Sequence, residues 1–161
     1  MLDVAGIGRK RMALRWVSAA EGQIFANTVK ELTQTTQELG PFDREEYKLQ
    51  LAAVENVLTS ARLRWLTGME RQITEKANVY NEKIDEKTYH ALMKQAALEE
   101  YEKSMILEVL RDGPQSVREM AAKAGLPVYT VSIRLNDLER RGQTELKGHD
   151  GSTPKFIRLA A

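Results

Sequence analysis

The chain has 161 residues, 42% of them hydrophobic and 29% charged, and a formal charge of +1. That length suits one moderate domain or two small ones. The absence of cysteine excludes disulfides, zinc–thiolate sites and iron–sulfur ligation by these residues. A near-neutral balance also weighs against a dedicated nucleic-acid binder, which usually carries a clear basic excess. No apolar run approaches the roughly 18 residues of a membrane span, and the N-terminus lacks a continuous apolar signal region. The expected compartment is therefore the cytoplasm.

Met1, Leu2 and Val4 suggest the end of a helix, closed by Gly6 and Gly8. Arg11 to Val17 alternates, with Met12, Leu14 and Trp16 on one side, and predicts a strand. A loop over 18–22 follows, then a helix carrying Ile24, Phe25, Val29, Leu32 and Leu39, stopped by Gly40-Pro41. One strand cannot satisfy its own backbone groups. The expectation is that residues 1–41 are a βα fragment whose sheet partners lie outside residues 1–161.

The middle, 42–97, reads as helical. Asp43-Arg44-Glu45-Glu46 has the capping-box pattern. Tyr47, Leu51, Val54, Leu58, Ala61 and Trp65 recur at steps of four and three, a continuous seam that Thr67-Gly68 would break. The seam is either the core of a helical hairpin or a docking face. Asn78 to Asn81 predicts a loop, and Asp85 caps a helix bearing Tyr89, Leu92, Met93 and Ala96.

Residues 98–161 read as a winged helix-turn-helix. Leu98, Tyr101, Met105 and Val109 fall at helical spacing. Ser116 with Glu119 forms a capping box, and Gly125-Leu126-Pro127 makes the turn into a helix from Tyr129 to Arg141. A hairpin follows: Thr144 to Lys147, a turn at Gly148 to Gly151, then Lys155 to Leu159. The shared core is expected to be Met105, Val109, Met120, Val131, Leu135, Leu138, Leu146 and Ile157. The fold class is thus mainly α with small β (α+β): a βα fragment, a helical middle and a C-terminal winged helix.

If the third helix reads DNA, Tyr129, Thr130, Ser132, Arg134 and Asn136 are the contact candidates on its outer face, with Lys155 on the wing. Asp137 and Glu139 would oppose phosphate. On an outer face, Arg134→Ala should change stability by less than about 0.5 kcal/mol. His90 and His149 lie in different segments, and no nucleophile, metal set or phosphate loop assembles around them. The chain is not expected to be catalytic alone.

Leu2 to Gly8, the run Arg15-Trp16-Val17-Ser18-Ala19-Ala20-Glu21-Gly22, Phe25-Ala26 and Glu38-Leu39-Gly40-Pro41 resemble the C-terminal end of one family. It is the methyl-viologen-reducing hydrogenase delta subunit family, also called the hydrogenase iron–sulfur subunit. Beyond Pro41, Arg62 to Leu66 and Glu75 to Tyr80 resemble its longer members more loosely. The resemblance implies that the βα fragment is part of a flavodoxin-like domain, and that the chain has a place in a soluble redox complex of anaerobic metabolism. Its partners would be an iron–sulfur segment holding a [2Fe–2S] cluster and an FAD-bearing subunit of heterodisulfide-reductase type. No cluster cysteine is present here, so the resemblance assigns the cofactors to partner segments or subunits, the cluster half being either a separate subunit or an upstream part of the same gene product. The docking residues the resemblance and the seam suggest are Trp16, Ser18, Glu21, Gly22 and Trp65. A DNA-binding regulator is the alternative.

Overall fold

The computed structural model describes residues 1–18 and 20–159. Ala19 in the 18–22 loop, and Ala160 and Ala161 at the end of the predicted winged domain, lie outside the described residues. The protein is mainly helical, with one two-stranded antiparallel sheet. It divides into two compact units, Met1–Lys48 and Leu49–Ala161.

The first unit opens with hydrogen-bonded turns. The amides of Ala5, Ile7 and Gly8 donate to the carbonyls of Met1, Leu2 and Leu2. A 3₁₀ turn at Arg9–Arg11 follows. Helix α1 spans Gly22–Leu39, and Gly40 ends it at φ 64°. Arg11 reaches back to that end, donating to the carbonyls of Gly40 at 3.2 Å and Leu39 at 3.0 Å. A cation there offsets the negative pole of the helix and satisfies carbonyls that lack an intrahelical donor. The same guanidinium lies 5.2 Å from the centre of the Phe42 ring, which stacks on Tyr47.

The predicted strand at Arg11 to Val17 does not form. Arg11 belongs to the 3₁₀ turn and residues 13–18 have no regular structure. A strand is defined by its ladder, and the segment pairs with no other described residues. Its alternating apolar side chains are open instead: Met12 is 74%, Leu14 73% and Trp16 89% exposed. No residue of α1 is buried either.

In the second unit the continuous seam breaks into two helices, α2 (Lys48–Thr59) and α3 (Ala61–Thr74). Ser60 separates them; its hydroxyl accepts from the amide of Leu63 and starts α3 afresh. Within α2 the buried face is Ala53, Val54 and Val57, which leaves Leu58 exposed, and beyond Ser60 helix α3 buries Leu63 and leaves Trp65 exposed. Gly68 does not stop α3. Upstream, Asp43 accepts from the amides of Glu45 and Glu46 without a return bond, and closes a turn before α2 rather than a capping box.

Asn78 closes the loop after α3 by accepting from the amides of Tyr80 and Glu82. Asp85 then caps α4, Glu86–Val109, through the amide of Thr88. This helix runs unbroken across 97/98, so the boundary drawn there falls inside one element. The phenol of Tyr89 donates to the carbonyl of Leu66 at 2.6 Å and ties α4 to α3.

Helix α5 (Val117–Ala124) starts at a complete capping box, with Ser116 and Glu119 exchanging hydrogen bonds. Gly125 ends it in the left-handed region, φ 64° and ψ 29°, where a side chain would be strained. Helix α6 spans Val128–Arg140. Strands β1 (Thr144–Asp150) and β2 (Thr153–Arg158) pair antiparallel, with a register shift between Leu146 and Gly148. β1 continues through the residues predicted as the turn, which is only Gly151 and Ser152. Gln115 exchanges backbone hydrogen bonds with Phe156 and adds a short third rung between α4 and α5.

The core of this unit is Met105, Ile106, Val109, Leu110, Met120, Val131, Leu135 and Leu138, all 3% exposed or less. Ile106 is fully buried and was not in the expected set. Leu146, which was, is 47% exposed because most of β1 beyond Thr144 lies outside the helical core.

Candidate functional site

The 18–22 loop starts α1. The Glu21 carboxylate accepts from the amide of Ser18 at 3.2 Å, and the Ser18 carbonyl accepts from the amide of Glu21 at 3.0 Å. The Ser18 hydroxyl accepts from the amide of Ala20. Gly22 is the first residue of α1. Serine and glutamate therefore shape the loop locally and leave Trp16, two residues before it, fully presented. Around them Leu14, Ile24, Phe25 and Val29 are also exposed, between 45% and 73%. A cleft of about 640 Å³ runs between the 9–15 segment and the Glu31 to Leu39 face of α1. Arg15 spans it, 3.5 Å from Glu31. Trp65 is exposed on α3 and belongs to the other unit.

The residues proposed to read DNA divide into two sets. Tyr129 is 77% exposed, and Ser132 and Asn136 are exposed, although the Ser132 hydroxyl is turned back to the Val128 carbonyl. Thr130 is half-buried. Arg134 is not on the outer face. Its Nε donates to Glu102 of α4 at 2.7 Å, and the two side chains are 17% and 12% exposed. Lys155 is likewise held, donating to both carboxylate oxygens of Glu119 at 2.7 and 2.6 Å. That contact, with the amide of Ser116, pulls the Glu119 carboxyl down from 4.5 to about 2. The outer surface of α6 instead presents Val128, Tyr129 and Ile133, at 50%, 77% and 40% exposure.

A belt of ion pairs around α4 was not anticipated. Arg62 bridges Glu99 at 2.7 Å and Glu100 at 3.3 Å. The Arg62 guanidinium, held mainly by its hydrogen bond to Glu99, is raised above its usual value. Glu108 is 7% exposed and accepts from Asn56 at 2.7 Å, with Arg111 at 3.1 Å and Arg158 at 3.5 Å. Lys103 is 4% exposed and paired with Glu100. The signal available in the sequence was Glu99-Glu100-Tyr101-Glu102-Lys103, where charge encircles a helix that apolar periodicity requires to be covered on several sides.

The donor chemistry does not fit an iron–sulfur cluster. There is no cysteine, and among the described residues no group of three or more His, Asp or Glu side chains is placed to hold a metal ion. Among the described residues no helix is long and apolar enough to cross a membrane.

No family model matches the chain, and no solved structure matches it. Curated proteins match a short part of it. One is a subunit of the ferredoxin/F420H2-dependent CoB–CoM heterodisulfide reductase of Methanosarcina acetivorans. Another is the corresponding subunit of the ferredoxin:CoB–CoM heterodisulfide reductase of Methanosarcina mazei. Each is 42% identical over 40 residues, which is 25% of this chain and 5% of the relative. A short segment of this protein is thus similar to a short segment of one heterodisulfide reductase subunit.

Proposed function

We propose that this protein is a non-catalytic piece of a soluble electron-transfer complex of heterodisulfide-reductase type, and that it acts by docking. The observation that carries this reading is the likeness to a heterodisulfide reductase subunit over 40 residues. The chain spans about 5% of the length of those relatives, so their whole activity is not transferred. The partners we propose follow from the delta subunit resemblance instead: a segment or subunit that bears a [2Fe–2S] cluster, and a flavin subunit with FAD. The hydrogenase delta subunit resemblance is a finer form of the same reading.

The first unit supplies the docking chemistry. Residues 13–17 have no regular structure, and Ala13, Leu14, Trp16 and Val17 offer backbone groups that pair with no strand among the described residues. Addition of a partner strand would satisfy them and cover Leu14 and Trp16. Ser18, Glu21 and Gly22 hold the loop that aims this segment. Trp65 is a second, independent candidate on α3. We read α4, α5, α6 and the hairpin as a winged helix used for protein contact, because Arg134 and Lys155 are engaged internally and α6 exposes apolar side chains.

The test is co-expression of the full chain with a cysteine-bearing redox α/β domain of heterodisulfide-reductase type, followed by size-exclusion chromatography. Stable co-elution is expected, with Trp16 fluorescence moving to shorter wavelength and Leu14→Asp abolishing the complex. Separate elution of the two wild-type proteins defeats the proposal.

A further inference from the structure

The belt around α4 encloses a second feature. A cleft of about 320 Å³ lies where the α2–α3 corner, α4, the end of α6 and β2 meet. Four cations line it: Arg62, Lys103, Arg141 and Arg158. The carboxylates that answer them are Glu99, Glu100 and Glu108, and Glu108 is also matched by Arg111. Positive charge is therefore in excess, and Arg141 has no ion pair among the described residues.

Two further observations point the same way. Ser60 and Ala61 line the cleft at the start of α3, a helix of 14 residues. Ser60 caps only the amide of Leu63, so the amides of Ala61 and Arg62 remain unanswered at the positive end of the helix. On the opposite wall Ser104 is 5% exposed, and its hydroxyl is buried with no hydrogen-bond partner. A helical serine ordinarily returns its hydrogen bond to the preceding turn; this one does not. A buried hydroxyl left unpaired is a destabilising feature that a ligand oxygen removes.

We propose that this cleft binds a small oxyanion, a carboxylate or a phosphate group. Arg141 and the α3 N-terminus supply the attraction, Ser104 donates a hydrogen bond, and Arg62 and Lys103 set a positive wall whose geometry Glu99 and Glu100 hold fixed. The cleft admits a small molecule or the charged end of a larger one. It involves neither the first unit nor the outer face of α6, so it stands or falls separately from the docking reading.

Calorimetric titration of the full chain with inorganic phosphate, and separately with succinate, decides it, in chloride buffer of matched ionic strength. Saturable binding of one or both is expected, and which of the two binds identifies the source of the oxyanion. Arg141→Ala should weaken that binding at least about tenfold. Ser104→Ala should weaken it about threefold without lowering the melting temperature. Arg140→Ala, one position away on the exposed side of α6, should bind as the wild type does. Absence of saturable binding to either anion overturns the proposal, and so does an Arg141→Ala variant with undiminished affinity.

Discussion

Arg134 shows how one side chain changes its meaning between sequence and structure. Helical phase put it outward, and a substitution there was expected to cost little. Its bond to Glu102 is 2.7 Å long and largely shielded. Arg134→Ala therefore leaves a carboxylate, 9% exposed, without its donor. The expected loss is about 1–3 kcal/mol in urea denaturation, and Glu102→Gln should restore part of it by removing the stranded charge. Leu135→Ala, at 3% exposure, should lose about 2–5 kcal/mol. Periodicity foretold Leu135 and misplaced Arg134 for the same reason: it records apolar phase and is blind to a long polar side chain that reaches around a helix. Glu119 offers a check by pH. Held by Lys155 and the Ser116 amide, its folded carboxyl titrates at about 2, below the ordinary 4.5. A depressed folded value means stability that is complete above about pH 4.5 and is lost as pH falls toward 2. Glu119→Gln should show a shallower fall in melting temperature between about pH 5 and pH 2 than the wild type. Equal slopes would mean that the Lys155 contact does not persist in solution.

At the scale of elements, caps were more legible than seams. Asp85, Ser116 and Gly125 act where local chemistry placed them, because a cap depends on residues three or four apart. The seam from Tyr47 to Trp65 departs from the buried face at two places: α2 buries Ala53 and Val57 rather than Leu58, and Ser60, a residue neutral in pattern, starts a new helix that buries Leu63 rather than Trp65. The hairpin turn was misplaced by one glycine: Gly148 absorbs a register shift, and Gly151 makes the turn. The longest element, α4, has a practical consequence. A chain of residues 98–161 begins in the middle of α4 and loses Tyr89, Ala96, Leu63 and Val57, all 7% exposed or less, together with the Asn56 bond to Glu108. It retains Met105, Ile106, Met120, Val131, Leu135 and Leu138 around one core. Cooperative unfolding is expected for 98–161, at a lower urea midpoint than for 49–161. A non-cooperative transition would place the smallest folding unit at 49–161 instead.

For the whole molecule, the distribution of charge weighs against nucleic acid as a partner of α4, α5, α6 and the hairpin. A duplex binder depends on phosphate contacts by free cations, and each contact makes affinity fall with salt. This chain carries 24 Lys and Arg against 23 Asp and Glu. Three cations of α6 and the hairpin are paired: Arg134 with Glu102, Lys155 with Glu119, and Arg158 with Glu108. Recognition helices meet bases through their N-terminal residues, and here the exposed ones are Val128, Tyr129, Ser132 and Ile133, with the Ser132 hydroxyl bonded to the Val128 carbonyl. Arg140 and Arg141 lie at the other end of α6, where they complement the helix dipole. A protein making several phosphate contacts loses about a thousandfold or more in affinity between about 50 and 200 mM salt, which presupposes tight binding at the lower value. The full chain is expected to show no retention on immobilised duplex DNA at about 50 mM salt, where steering by free cations is strongest. Fluorescence anisotropy with a labelled duplex checks the same point in solution. Binding whose affinity falls at least fourth-power with salt would require about four phosphate contacts. That result would release Arg134 or Lys155 from its carboxylate and return α6 to the role of a reading helix.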